Sequence, residues 1–228
     1  MPEIVTDVPR PDADLMDRLS AYSPSDLGHR RHFGFPGPEI SYQETAGRTT
    51  VVGSALTVRI PPEDSTMVHK ATELVEPGDV MVVDMKGHTA HAPWGEMTTL
   101  AAQQNGAVAA VVDGSVTDTH AIANDGFPVY ARDTSVKTTR LHGRGGDINV
   151  PVQVGGATVE PGDVVFGNED GVLFVPREDL ETAIQQLEAE VDAEAGERDR
   201  FEEGASLATV TGAAALVEEM EPMVRHHD

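Results

Sequence analysis

The chain has 228 residues and a formal net charge of −23, from 39 acidic against 16 cationic residues. It has no cysteine, which rules out disulfides, thiolate metal sites and cysteine nucleophiles. So acidic a surface repels phosphate backbones and disfavours nucleic acid as a partner. No apolar run approaches the roughly 18 residues that span a bilayer, and no signal peptide opens the sequence, so a cytoplasmic protein with no membrane partner is expected. Lys70, Lys86 and Lys137 are the three lysines, and the other cations are arginines. Acid excess with few lysines suits a halophilic protein, whose self-repulsion is screened by salt.

Residues 12–21 follow Pro11 and read as a helix, with Asp12 or Asp14 as its N-cap. Residues 23–49 are rich in glycine, proline and histidine and read as loop with at most a short helical turn. The β-branched run 50–60 predicts a strand, and 64–75 predicts a helix capped by Asp64 or Ser65. Strands follow at 80–84, 107–113 and 127–132, with helices at 95–105 and 116–125 between them. From 150 onward short strands alternate with turns, then a charged helix is expected over 177–203 and an apolar one over 205–219. EPGDVMVVDMKG (76–87) echoes EPGDVVFGNEDG (160–171). Shared turn chemistry explains the echo without duplication, because proline presets φ and Gly-Asp completes the turn. Strand–helix–strand units followed by hairpins make a layered α/β domain.

Two segments could carry chemistry. In Trp94-Gly95-Glu96-Met97-Thr98, Gly95 opens a helix whose free amides can hold a carboxylate. Glu96 faces either that pocket or solvent. Asp113-Gly114-Ser115-Val116-Thr117-Asp118 follows a buried strand, and ligand sites in α/β folds gather at such strand ends. Asp118 either ligates a hard cation such as Mg²⁺ or simply caps the next helix. His120 is a candidate substrate contact or proton shuttle. His88, His91 and His120 lack the spacing of a zinc helix. No P-loop, dinucleotide fingerprint or nucleophile elbow is present, and HGRGGD (142–147) reads as loop.

The block WGEMTTLAAQQNGAVAAVVDGSVTDTHAIANDGFPVYAR, with VGSALTV (52–58), VHKATELVEPGDVMVVD (68–84) and NVPVQVGGATVEPGDVVFGNEDGVLFVP (149–176), resembles the RraA-like family. That family includes metal-dependent 4-hydroxy-4-methyl-2-oxoglutarate/4-carboxy-4-hydroxy-2-oxoadipate aldolases and the ribonuclease E regulators. The resemblance implies a swivelling-type β/β/α single domain over residues 1–205, a helical extension over 206–228, and a homotrimeric ring or a hexamer with sites at subunit interfaces. It also implies a divalent cofactor, Mg²⁺ or Mn²⁺, and a small 2-oxo acid as substrate.

Residue by residue, it puts the metal on Asp118, with Glu194 from a neighbouring subunit completing the water shell and Glu197 as the fallback. Amides of Gly95, Glu96, Met97 and Thr98 would hold the substrate carboxylate. Glu96 falls on an acidic position of the family and Thr117 on the position of its arginine; with His120, the proton-shuttle candidate read from the residues, they are the expected catalytic residues. The departure is Thr117, where the aldolases carry an arginine that contacts the keto oxygen. Losing one such donor costs roughly 3–4 kcal/mol. Either another cation reaches in, with Arg132 and Lys137 near in sequence, or the chemistry differs. The implied function is therefore a lyase acting by retro-aldol cleavage or decarboxylation. The alternatives are an isomerase, hydratase or sugar-acid lyase on the same fold, or a non-catalytic trimeric binding or regulatory protein.

Overall fold

The computed structural model describes residues 1–29, 34–43, 45–47 and 50–220. Parts of the segment read as loop, and the end of the C-terminal extension, lie outside the described residues. In chain order the elements begin with helices α1 (Ala13–Leu19) and α2 (Pro24–Gly28), then strands β1 (Ser41–Tyr42) and β2 (Val51–Arg59). Next come α3 (Thr66–Ala71), β3 (Asp79–His88), α4 (Glu96–Gln104), β4 (Ala109–Val116), α5 (Thr119–Asp125) and β5 (Val129–Thr134). Short strands β6 (Asp147–Ile148), β7 (Val152–Val154) and β8 (Ala157–Val159) precede the hairpin of β9 (Val164–Asn168) and β10 (Gly171–Val175). Helices α6 (Leu180–Glu202), α7 (Leu207–Val210) and α8 (Ala213–Glu219) complete the chain. By contacts it divides into two compact units, 1–184 and 185–228.

The first unit is built on a mixed sheet in the order β1-β5-β4-β3-β2-β9-β10, with β6 also pairing with β2. Strands β2 to β5 run parallel, and β1, β6, β9 and β10 join antiparallel. Parallel strands buried on both faces read as continuous apolar runs, as VMVVD and AVAAVVD do. Alternate side chains then serve two layers. Met81, Val83 and Met85 pack with Val68, Ala102 and Ile122 on the helical side. Val80 and Val82 pack with Val152, Val154 and Val159 of the β7–β8 hairpin on the other. The sandwich of hairpin, sheet and helices is the expected β/β/α architecture, with each fully buried valine contributing about 1.5–3 kcal/mol.

The repeated turn is a local device. Asp79 accepts from the Glu76 amide and Asp163 from the Glu160 amide, both at 2.8 Å. Gly78 and Gly162 take left-handed φ of 90° and 85°. The strands that follow run in opposite senses relative to β2, so the same turn feeds two different topologies. Two expectations differ in detail. The 64–75 helix tightens into a 3₁₀ turn at Thr72–Leu74 before the Pro77-Gly78 turn. The apolar helix over 205–219 is instead two short helices, α7 and α8, broken where Gly212 adopts φ 78°.

Candidate active site

The site forms at the carboxyl end of β4, against the loop that leads into α4. That loop is fixed from several sides. The Ala92 amide donates to the Lys137 carbonyl at 2.8 Å, the Thr139 amide to Ala92 at 3.1 Å, and the Thr117 amide to the Trp94 carbonyl at 2.9 Å. Trp94 is buried, stacks on Phe127 and donates its indole N–H to the Thr99 hydroxyl at 2.9 Å. These bonds set the start of α4 beside Thr117 and Asp118.

Gly95 has extended backbone angles that any residue could adopt, yet a side chain there would force a neighbour to shift. A β-carbon there would stand 2.6 Å from Asp118 Oδ2 and 2.7 Å from Thr117 Cγ2. The Asp118 carboxylate is thus nested against the Gly95 backbone and accepts from the Glu96 amide at 3.3 Å. The Thr117 hydroxyl donates to its other oxygen at 3.3 Å. Asp118 adopts a left-handed conformation, φ 55°, and its side chain makes no capping bond to α5. The capping alternative is therefore not realised. In that conformation the carboxylate turns back toward Gly95 instead of over its own helix, a strained placement of the kind that clusters at functional sites.

A cleft of about 240 Å³ opens here, and its wall includes His69, Trp94, Gly95, Met97, Thr98, Thr117, Asp118, Arg140 and Leu141. Five of the residues singled out from the sequence meet in it: Gly95, Met97, Thr98, Thr117 and Asp118. Glu96 contributes its amide, but its side chain is exposed and outside the wall, as is His120 on α5. Glu194 and Glu197 lie on α6, in the second unit, with Glu194 exposed.

The cations are arranged differently from the sequence expectation. Arg132 is committed elsewhere: its Nε bonds Asp113 Oδ1 at 2.5 Å and its Nη1 bonds Glu39 at 3.0 Å. Lys137 lines a neighbouring hollow of about 430 Å³ with Glu63, His91 and His142. Arg140 borders both spaces. Sequence reasoning passed over it and His69. The available signal was charge: residues 134–146 hold Lys137, Arg140 and Arg144 and no acid, in a chain otherwise crowded with them.

Asp64 moors that segment. It is buried, and its carboxylate accepts from the amides of Thr66 (3.0 Å), His142 (3.1 Å) and Arg144 (2.6 Å) and from the Thr66 hydroxyl. Burial alone would push its carboxyl up, but these hydrogen bonds outweigh it and hold the group well below the ordinary carboxylate range.

Residues 13–174 match the RraA-like family, described as Aldolase/RraA. The chain belongs to the RraA-like family. Within it, a Halalkalibacterium halodurans protein to which 4-hydroxy-4-methyl-2-oxoglutarate aldolase activity is ascribed is 37% identical over 149 residues, 65% of this chain and 70% of that one. The RNA-processing inhibitor RraA from Thermus thermophilis is 28% identical with a TM-score of 0.58, over 67% of this chain and 89% of that one. A Pseudomonas syringae pv. tomato protein superposes with a TM-score of 0.75 over 91% of this chain and 97% of that one, at 22% identity, a likeness of fold. This RraA-like chain thus has both aldolase-named and inhibitor relatives. Among the described residues no helix is long and apolar enough to cross a membrane.

Proposed function

We propose that this chain is a divalent-metal-dependent lyase that cleaves or decarboxylates a 2-oxo acid to release pyruvate. The observation that carries the reading is Asp118: an exposed carboxylate in a left-handed conformation, without a capping bond to α5, nested against Gly95 in a shared cleft. The aldolase-named relatives support it.

The donor set fits Mg²⁺ or Mn²⁺. Asp118 offers hard carboxylate oxygen, its two internal hydrogen bonds are long at 3.3 Å, and only one or two carboxylates are needed because such ions keep their waters. Asp118 would hold the ion, with Glu194 of a neighbouring copy and Glu96 orienting its waters in a homotrimer or hexamer. When bound, the ion supplies Lewis-acid stabilisation of negative charge growing on the keto oxygen. The Met97 and Thr98 amides, in the first turn of α4 and without intrahelical partners, receive the substrate carboxylate. Trp94, Met97 and Leu141 form apolar wall that shields the reacting carbons from water. In retro-aldol cleavage the hydroxyl proton leaves to a base, either a water at the site or His120, whose side chain stands on α5 outside the cleft wall. The C–C bond then breaks and its electron pair becomes the pyruvate enolate. That carbon finally takes a proton to give pyruvate. Decarboxylation of an oxaloacetate-like acid yields the same enolate with loss of CO₂.

The test is pyruvate release from 4-hydroxy-2-oxo and 2-oxo dicarboxylic acids with added Mg²⁺ or Mn²⁺. The expected result is steady turnover abolished by Asp118→Ala. No turnover of any such acid with any divalent ion removes the proposal.

Thr117 favours a second reading, since a short neutral side chain replaces the arginine of the aldolases. A metal-dependent isomerase, hydratase or sugar-acid lyase would exploit the extra room. If Thr117→Arg creates aldolase activity in a protein that had none, this second reading replaces the first. A binding or regulatory role would be supported if calorimetry detects neither metal nor 2-oxo-acid binding.

A further inference from the structure

The cleft that holds Asp118 lacks a cation at the position where the aldolases carry one, and another residue of its lining supplies one. Thr117 cannot provide charge, and its hydroxyl is engaged with Asp118 at 3.3 Å. Arg132 is neutralised by Asp113 and Glu39. Arg140 lines the same cleft as Gly95, Thr98 and Asp118, is exposed, and forms no ion pair among the described residues. The backbone of Arg140 is held in place. Its amide donates to Glu63 at 3.0 Å, its carbonyl accepts from the Ser65 amide at 3.0 Å, and Asp64 clamps the amides of residues 142 and 144 just beyond it. An unpaired guanidinium on a pinned backbone, in a chain of net charge −23, is a focus of positive potential at the cleft.

We propose that Arg140 is the cation that replaces the arginine missing at Thr117: it reaches into the cleft to the 2-oxo acid, donating to its carboxylate or keto oxygen. The guanidinium fork suits this task because it presents paired donors to two adjacent oxygens. The same charge would meet the oxygen that becomes negative as the enolate forms. A threonine at position 117 is shorter than arginine, so the chain would accept a bulkier substituent beside it than a relative with arginine at that position. The assignment rests on the lyase reading.

Calorimetric titration of oxalate, a mimic of the enolate dianion, into the full chain saturated with Mg²⁺ or Mn²⁺ tests it without turnover. Arg140→Gln should weaken oxalate at least tenfold. Adding Thr117→Arg to that variant should restore affinity to within threefold of the unaltered chain. Lys137→Gln should change affinity less than threefold. Melting temperatures report whether each variant is folded, and the removed side chain has no hydrogen-bond or ion-pair partner among the described residues. Oxalate binding that Arg140→Gln leaves within threefold, or that only Lys137→Gln weakens, overturns the role of Arg140 while the lyase reading stands. An unaltered chain that binds no oxalate with either metal overturns the lyase reading and this assignment with it.

Discussion

Asp118 and Gly95 form a pair in which each constrains the other. The left-handed backbone at Asp118 costs about 1–2 kcal/mol in a residue with a β-carbon, less in aspartate than in most. Asp118→Gly should therefore raise stability by up to about 1 kcal/mol in denaturant unfolding, while removing metal-dependent activity. A variant that is both less stable and fully active would show that the conformation is incidental. Gly95→Ala makes the complementary point. Its methyl group would meet the Asp118 carboxylate at 2.6 Å, so either the carboxylate or the start of α4 must shift. Turnover should fall by about 10²-fold, the scale on which one misplaced polar group acts, with an unchanged far-UV spectrum. Retention of full activity would mean that Asp118 is not used from this position.

At the level of elements, the start of α3 is tied to the 140–146 segment chiefly by one buried carboxylate, with the Ser65 amide on the Arg140 carbonyl and the Gly143 amide on the Thr66 hydroxyl beside it. Asp64 receives three amides and a hydroxyl, an arrangement usually spread over several residues. Its carboxyl is held down in the folded state, so folding favours the ionised form. The stabilisation is complete above the ordinary aspartate range, near about pH 4, and is lost as pH falls through and below it. Asp64→Asn should lower stability at neutral pH by about 1.5–3 kcal/mol, the worth of hydrogen bonds to a charged group. The gap between the two proteins should narrow below about pH 4, where the aspartate of the unfolded chain begins to protonate while the folded carboxylate is still ionised. A variant with the same acid-unfolding profile as the native chain would place the pH sensitivity elsewhere. Because Arg140 stands at the start of the clamped segment, the same substitution should also weaken oxalate binding, and the two effects can be read separately by melting and calorimetry.

Over the whole molecule, charge is the dominant feature. Thirty-nine acids against 16 cations leave a surface whose self-repulsion opposes compaction. At about 1 M salt the screening length falls to about 3 Å, and most of that repulsion disappears. The melting temperature should rise by several degrees between low and molar salt. A flat or falling curve would end the expectation of a halophilic protein. The cationic 134–146 stretch runs against this background, and it borders the cleft. Acidic substrates would be repelled by the surface at large and attracted at that one mouth, a focusing that high salt should weaken. The apparent KM for a dianionic 2-oxo acid is accordingly expected to rise with salt while the fold becomes more stable.

The apolar runs of β2 to β5, the Pro-Gly-Asp turns and the glycine-led start of α4 were legible in the linear chain, because strand burial, turn geometry and helix initiation depend on residues a few positions apart. So were the family and the clustering of Gly95 to Thr98 with Thr117 and Asp118, since their spacing and order are carried by the chain itself. The disposition of the cations was not. Arg132 and Arg140 are both near Asp118 in sequence, yet one is captured by Asp113 and Glu39 while the other borders the cleft. That choice is made by β5 pairing with β4 and β1, and by Asp64 drawing in a segment from 78 and 80 residues away. The turned-back carboxylate of Asp118 likewise depends on a glycine 23 positions earlier having no side chain to block it. Local chemistry set the elements and their order, and contacts between distant segments decided which charged groups met in the cleft.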